Sequence, residues 1–395
     1  MNKQILNQEI QEFILQNSNC NLTKLILKGS PFENISIQDL AQQIDGKNKC
    51  LKKLPLWHQT KNIIYPPKIN LEQTSSELTA NYKTNLVNGE SLIDLTGGFG
   101  IDCFYFSKKI KQVTHCEMDE NLSEIVVHNQ EALGVANIIN YAGNSFDYLR
   151  NNQLKYDWIY IDPSRRNDAK GKVFLLEDCL PNIPENIDFL FEFSHQILIK
   201  NSPILDITST INELKFVKEI HVVAVQNEVK ELLFLLEKEY LGEIQIKTTN
   251  LQKNENQNFD TIYKNEEPAT YELPQNYLYE PNAAILKSGA FNQISTLFYV
   301  DKLHQHSHLY TSTIFLEDFP GRTFKIIEKL PYDKKKLFKI LPDKKANITT
   351  RNFPETVAQI RKKTKIKDGG NLYLFFTTNI KNQKIVLVCK KTKQE

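Results

Sequence analysis

Between residues 90 and 250 the chain alternates short β-rich runs with longer amphipathic ones, and that rhythm constrains its fold more than any other feature. The runs are SLIDLT, QVTHCEM, NIINYAG, YDWIYID, QILIKN, EIHVVAVQ and EIQIKTT. Between them lie stretches such as ENLSEIVVHNQEAL and residues 228 to 240 (EVKELLFLLEKEY), whose apolar residues recur at helical spacing. A strand that returns parallel to its neighbour needs a helical crossover, so this alternation predicts a parallel sheet covered by helices. Seven such runs predict a doubly wound α/β domain.

A chain of 395 residues exceeds what one hydrophobic core usually serves, so further units flank that domain. Residues 1 to 72 read as a helical region, with NQEIQEFILQ and SIQDLAQQI before the turn YPPK; Trp57 and His58 read as packing residues. The α/β domain is expected over 73 to 265, its end marked by a polar linker at 250 to 268 (NLQKNENQNFDTIYKNEEP). Two α+β units follow, over 270 to 320 and 321 to 395. The first opens with YLYEPNAAILKSGAF and continues as strand through LYTSTIFLED. The second reads helix, strand, strand: RNFPETVAQIRKKTKIKD stops at Gly369-Gly370, and NLYLFFTT and KIVLVCKK form a hairpin.

The overall charge of +2 conceals an asymmetry. From Phe319 onward 20 lysines and arginines face 6 acids, a net +14, which leaves −12 for the rest. A basic module on an acidic body points to a polyanionic partner, most often nucleic acid. The opening MNKQILNQEIQEFILQ carries acids and amides where a secretory signal needs an apolar core, and no apolar run is long enough to span a membrane, so a cytoplasmic location is expected. Six cysteines are scattered without metal-ligand spacing and read as small core residues. His304, His306 and His308 alternate in HQHSH and read as a solvated strand face, so no metal is expected.

Chemistry concentrates at the ends of the strand-like runs. In LIDLTGGFGID, residues 92 to 102, an acidic strand end meets a turn carrying Gly97, Gly98 and Gly100 that opens a helix. Such a turn lets the backbone approach a flat or anionic ligand. A nicotinamide fingerprint needs a third glycine where this chain has Cys103, so Asp94 followed by Thr96 and the glycines fits S-adenosylmethionine (SAM) better. Glu117 ends the second strand, where a carboxylate can accept the ribose hydroxyls of an adenosine; Asn144 and Ser145 end the third, beside the adenine. The fourth ends in Asp162-Pro163-Ser164-Arg165-Arg166, facing whatever group is modified.

With these residues the chain resembles class I SAM-dependent methyltransferases, and more closely a bacterial group with a THUMP-like C-terminal domain. The resemblance rests on SSELTANYK, DLTGGFGID, DPSRR, LIKNSPILDI, YEPNAAILKSG and RNFP…RKKTKIKDGG. It implies a Rossmann-like seven-stranded SAM methyltransferase domain between an N-terminal helical region and C-terminal ferredoxin-like and THUMP-like α+β units. It also implies that residues 74 to 83 fold as a flap over SAM, that Asp94, Gly97, Gly98 and Gly100 hold its methionine end, and that Glu117 holds its ribose. Asp162, Pro163, Ser164 and Arg165 are then the expected catalytic residues, with Asp162 also beside the cofactor. Arg165, Arg166, Arg361, Lys362 and Lys363 are the expected substrate contacts.

Amine methyltransferases hold their target with an Asp/Asn-Pro-Pro-aromatic motif. Asp162 and the Pro163 carbonyl can keep that acceptor role, while Ser164 and Arg165 replace the second proline and the ring. A guanidinium stacks on a base or grips a phosphate. The function expected is therefore methylation of RNA, on a tRNA or rRNA base. The alternatives are a methyltransferase for protein or a small carboxylate, and a non-catalytic RNA-binding protein with a residual SAM fold.

Overall fold

The computed structural model describes residues 2–165, 175–264 and 267–392. The chain divides into two compact units, Met1–Lys218 with Lys230–Gly242, and Glu219–Val229 with Glu243–Glu395. Among the described residues no helix is long and apolar enough to cross a membrane.

The first unit opens with helices α1 (Gln8–Gln16), α2 (Leu22–Lys28), α3 (Ile37–Lys53), α4 (Pro55–Gln59), α5 (Lys68–Gln73) and α6 (Glu77–Thr84). Asn7, Asn21, Ser36 and Ser76 cap four of them by accepting N–H groups that have no partner inside the helix. Trp57 is buried against Phe104, 4.7 Å between ring centroids, and the His58 ring bonds the Lys47 carbonyl at 2.9 Å.

The elements that follow are β1 (Ser91–Asp94), α7 (Ile101–Phe106), β2 (Gln112–Glu117), α8 (Glu120–Ala132), β3 (Ile138–Ala142), α9 (Ser145–Asn152) and β4 (Tyr156–Ile161). After the short ribbon β5 (Ser164–Arg165) and β6 (Cys179–Leu180) come α10 (Ile183–Leu190), β7 (Ser194–Asn201), α11 (Ile207–Glu213), β8 (Val217–Val225) and β9 (Glu228–Glu237). β1 pairs in parallel with β2 and with β4, β2 with β3, and β4 with β7. The chain thus steps outward from β1 through β3 and returns to lay β4 on the other side of β1. That reversal makes the carboxyl ends of β1 and β4 a topological switch point, where α/β sheets bind ligands.

One expected helix is a strand. Residues 228 to 240 read as amphipathic helix, yet β9 pairs antiparallel with β7, Leu232 opposite Asn201 and Glu237 opposite Gln196. The reason is burial on both faces: residues 231 to 236 are all buried, which an amphipathic helix with one solvated side does not allow. A continuous apolar run is ambiguous from periodicity alone.

The second unit holds most of β8, then β10 (Gln245–Leu251), parallel to β8, and β11 (Gln257–Ile262), antiparallel to β10. The expected linker therefore contains strand, held by the buried Phe259, whose carbonyl accepts from Thr248 Oγ1 at 2.9 Å. Next come β12 (Tyr277–Pro281), α12 (Ala283–Ser288), α13 (Phe291–Phe298), β13 (Asp301–Lys302), β14 (Tyr310–Ser312), β15 (Gly321–Pro331), α14 (Lys334–Ile340), β16 (Asn347–Arg351), α15 (Val357–Thr364), β17 (Leu372–Thr378) and β18 (Lys384–Lys391). They form a sheet in the order β13-β14-β12-β15-β18-β17-β16, antiparallel except where β16 runs with β17. The basic helix starts later and ends sooner than its pattern implied: Arg351 closes β16, Thr356 with Gln359 forms the capping box, and Lys365 at φ 60° ends the helix ahead of Gly369-Gly370.

Phe234 lies fully buried in β9. Phe234→Ala should lower the unfolding free energy by about 3–5 kcal/mol in urea titrations, the usual cost of emptying an aromatic site in a core.

Candidate functional site

Asp94 ends β1 almost wholly buried, and its Oδ1 accepts the Thr96 N–H at 2.9 Å and the Thr96 hydroxyl at 3.2 Å. Cys103 Sγ approaches Oδ2 at 3.2 Å. Burial pushes the Asp94 carboxyl up to about 7, against these hydrogen bonds. The glycine turn follows, with Gly98 at φ +54° and Gly100 at φ +75°, the latter capping α7. A Cβ on Gly97 would stand 2.3 Å from His115 Nε2, so glycine there lets the turn lie on the imidazole. The ring is fully enclosed, and burial pushes its pKa down to about 4, which leaves it uncharged at neutral pH. A Cβ on Gly98 would meet nothing nearer than the Thr96 carbonyl at 3.8 Å, so the outer side of the turn is open.

Glu117 ends β2 and reaches back under that turn: Oε2 accepts the Gly98 N–H at 2.8 Å and Oε1 the Asp119 N–H at 2.9 Å. Asn144, exposed after β3, caps α9 by accepting from Phe146 and Asp147 at 2.9 and 3.3 Å, and Ser145 is buried. The turn and Glu117 form one bonded unit. Asn144 stands apart from it, its carbonyl oxygen already engaged.

Beyond β4, the Asp162 N–H donates to Thr96 Oγ1 at 2.7 Å, tying the ends of β1 and β4 together. The Asp162 carboxylate accepts from Lys200 Nζ at the end of β7. Pro163 is half-buried and Ser164 exposed; Ser164 and Arg165 pair through their backbones with Leu180 and Cys179. Arg166 lies outside the described residues.

Behind this pair stands a set of charges absent from the expected site. Lys83, 0% exposed, donates to both oxygens of Glu231 at 2.9 and 2.8 Å and to Ser75 Oγ at 3.1 Å, with Asp102 Oδ1 at 3.3 Å. Asp102 Oδ2 accepts from Ser75 and Tyr160, each at 2.8 Å. Burial opposes ionisation of Asp102, but Lys83 and Lys200 outweigh it and hold its pKa below the ordinary value; burial dominates at Glu231 and raises its pKa. Burial also works against the Lys200 ammonium, yet the charges of Asp162, Asp102 and Glu231 raise its pKa. The signal in the sequence was a charge at the edge of an apolar run: Lys200 closes QILIK and Glu231 opens ELLFLL.

The basic residues of α15 have divided duties. Arg361 donates to Asp368 and to the Ile366 and Ala346 carbonyls, so its guanidinium is engaged in closing its own loop. Lys363 pairs with Glu355 at 3.0 Å, and Lys362 is exposed. His304, His306 and His308 lie in a turn between β13 and β14, not on a strand; His308 stacks on Phe291 at 3.6 Å. Among the described residues no group of three or more His, Cys, Asp or Glu is arranged to hold a metal ion.

Residues 277–320 match a ferredoxin-like domain family and residues 321–391 a THUMP domain-like family. The whole chain is similar to the crystal structure of a candidate methyltransferase from Porphyromonas gingivalis W83, at 30% identity over 99% of both chains and a TM-score of 0.89. Shorter matches include the candidate methyltransferase yhhF of Escherichia coli, at 18% identity over 41% of this chain and 85% of that one, TM-score 0.30. TrmK of M. capricolum, solved with S-adenosyl-homocysteine, matches at 15% identity over 41% and 68%, also at 0.30. At those scores neither carries any argument. No curated protein sequence matches the chain.

Two outcomes follow from the site's packing. Gly97→Ala should destabilise the protein by about 1–3 kcal/mol through overpacking. Adding His115→Ala should recover part of that loss, a coupling of about 0.5–3 kcal/mol in a urea double-mutant cycle. Asp94 keeps its proton to about pH 7 when folded. The unfolded chain releases it near pH 4, so this group drains stability as pH rises from about 4 to about 7 and no further above that. Asp94→Asn should therefore gain melting temperature on the parent across that window.

Proposed function

This chain belongs to the family of methyltransferase-like proteins with C-terminal ferredoxin-like and THUMP-like domains, and on that premise we propose that it transfers a methyl group from SAM to RNA. The observation that carries the reading is the glycine turn locked to Glu117 with its outer side open, at the switch point between β1 and β4. The donor set fits the cofactor. Thr96 and the Gly97–Gly98–Gly100 backbone, with Asp94 beneath, would hold its methionine end. Glu117 would accept the ribose hydroxyls with its remaining lone pairs, and Asn144 and Ser145 would flank the adenine. SAM supplies an electrophilic methyl on a sulfonium.

The residues of this chain then have to orient the acceptor, since methyl transfer depends on in-line positioning more than on acid–base help. Asp162, fixed by its N–H to Thr96 and its carboxylate to Lys200, is the rigid group on the acceptor side. The net +14 from Phe319 onward and the THUMP-like match over 321–391 support RNA as the acceptor. Within α15, Lys362 is the better contact for phosphate, because Arg361 is engaged.

Calorimetry should give a binding heat with SAM that Glu117→Ala weakens by about tenfold or more, the worth of a charged hydrogen bond. Tritiated methyl from SAM should enter total RNA from cells lacking this chain. Label confined to the protein fraction would overturn the RNA reading.

A further inference from the structure

We propose that the acceptor atom is a hydroxyl oxygen, the 2′-hydroxyl of an RNA ribose, and that Asp162 and Lys200 are the catalytic residues that activate it. This rests on the reading of the chain as an RNA methyltransferase and departs from the expected base methylation. The ground is the juxtaposition of Lys83, Asp162, Lys200 and Glu231, drawn from α6, β4, β7 and β9 into one alternating array of charge.

The nitrogen of an amine acceptor turns positive as the methyl arrives. Here the carboxylate at the end of β4 is bonded to an ammonium. A fixed cation at that place repels a nitrogen that is gaining positive charge. For an oxygen acceptor the same cation is favourable. An alcohol is a weak nucleophile until its proton is shared with a base, and a neighbouring ammonium stabilises the negative charge that develops on oxygen.

The pair is placed for this work. Exposure rises from Lys83 at 0% and Glu231 at 2% through Lys200 at 11% to Asp162 at 33%, so solvent reaches the outermost members and not the inner ones. In the step itself the hydroxyl oxygen forms its bond to the methyl carbon with a lone pair. The carbon–sulfur bond breaks with its electron pair left on sulfur, and the hydroxyl proton passes to the Asp162 carboxylate, from which it leaves to water. Lys200 keeps its charge throughout. Lys83, Glu231 and Asp102 touch no acceptor; they are positioning residues that hold Lys200 beside Asp162.

The test uses full-length protein, tritiated-methyl SAM and total RNA from cells lacking this chain, with the labelled RNA hydrolysed in alkali. A 2′-O-methyl group blocks cleavage of the adjacent phosphodiester, so tritium should emerge in alkali-resistant dinucleotides. Lys200→Met should bind SAM as the parent does by calorimetry and lose labelling by about a hundredfold or more. Tritium in RNA but in mononucleotides overturns this inference and leaves the RNA methyltransferase reading standing. The inference is also overturned if Lys200→Met folds, binds SAM and labels RNA like the parent. Label absent from RNA overturns both.

Discussion

The Lys83 ammonium is the point on which the first unit turns. A charge with no access to water costs several kcal/mol to bury, and only partners with good geometry offset that. Lys83 has them in Glu231 and Ser75, whose oxygens use all three of its hydrogens, and in the Asp102 carboxylate as an ion pair at 3.3 Å. Those partners belong to three parts of the chain: the segment leading into α6, helix α7 and strand β9. Each is held in place because releasing it would strand a charge. The segment expected to act as a flap is tied at its root, since Ser75 bonds both Lys83 and Asp102.

From that anchor the charges alternate outward to the mouth of the site. Asp102 also takes the Tyr160 hydroxyl from β4, so the strand that delivers Asp162 is attached to the same array. Lys200 is thereby held as a cation beside Asp162. Across the switch point the proposed cofactor side is built differently, from backbone with the carboxyl groups of Asp94 and Glu117. There Glu117 fixes the glycine turn, and His115 fills the space beneath it as a neutral ring. One side of the switch point is a shaped backbone and the other a fixed electrostatic field, a division that suits the proposed methyl transfer to a hydroxyl.

The local pattern behind the glycine turn was legible in the sequence, whereas the charges around Lys83 were not. Asp94, Gly97, Gly98, Gly100 and Glu117 were readable because each sits at a strand end in a local pattern, and local patterns survive in sequence. That Arg361 closes its own loop was not legible, because charge density says nothing of which guanidinium is engaged locally. The strand β9 misled for a related reason: ELLFLLE suits a helix by propensity, and only packing on both faces makes it a strand. Glu231 depended on that error. On a helix its side chain would have read as solvated, whereas on β9 it is the partner of Lys83.

The sequence by itself determined the class of the fold, the glycine turn after β1 and the basic C-terminal unit, because alternation, glycine and charge content act over a few residues at a time. Only the tertiary structure decided which charges surround Asp162. Lys83, Asp162, Lys200 and Glu231 are separated by up to 148 positions in the chain. Their meeting depends on the parallel return of β4 and β7 and on the antiparallel entry of β9. Each charge alone would favour water, so the array exists only where the fold has excluded water from all of its inner members at once.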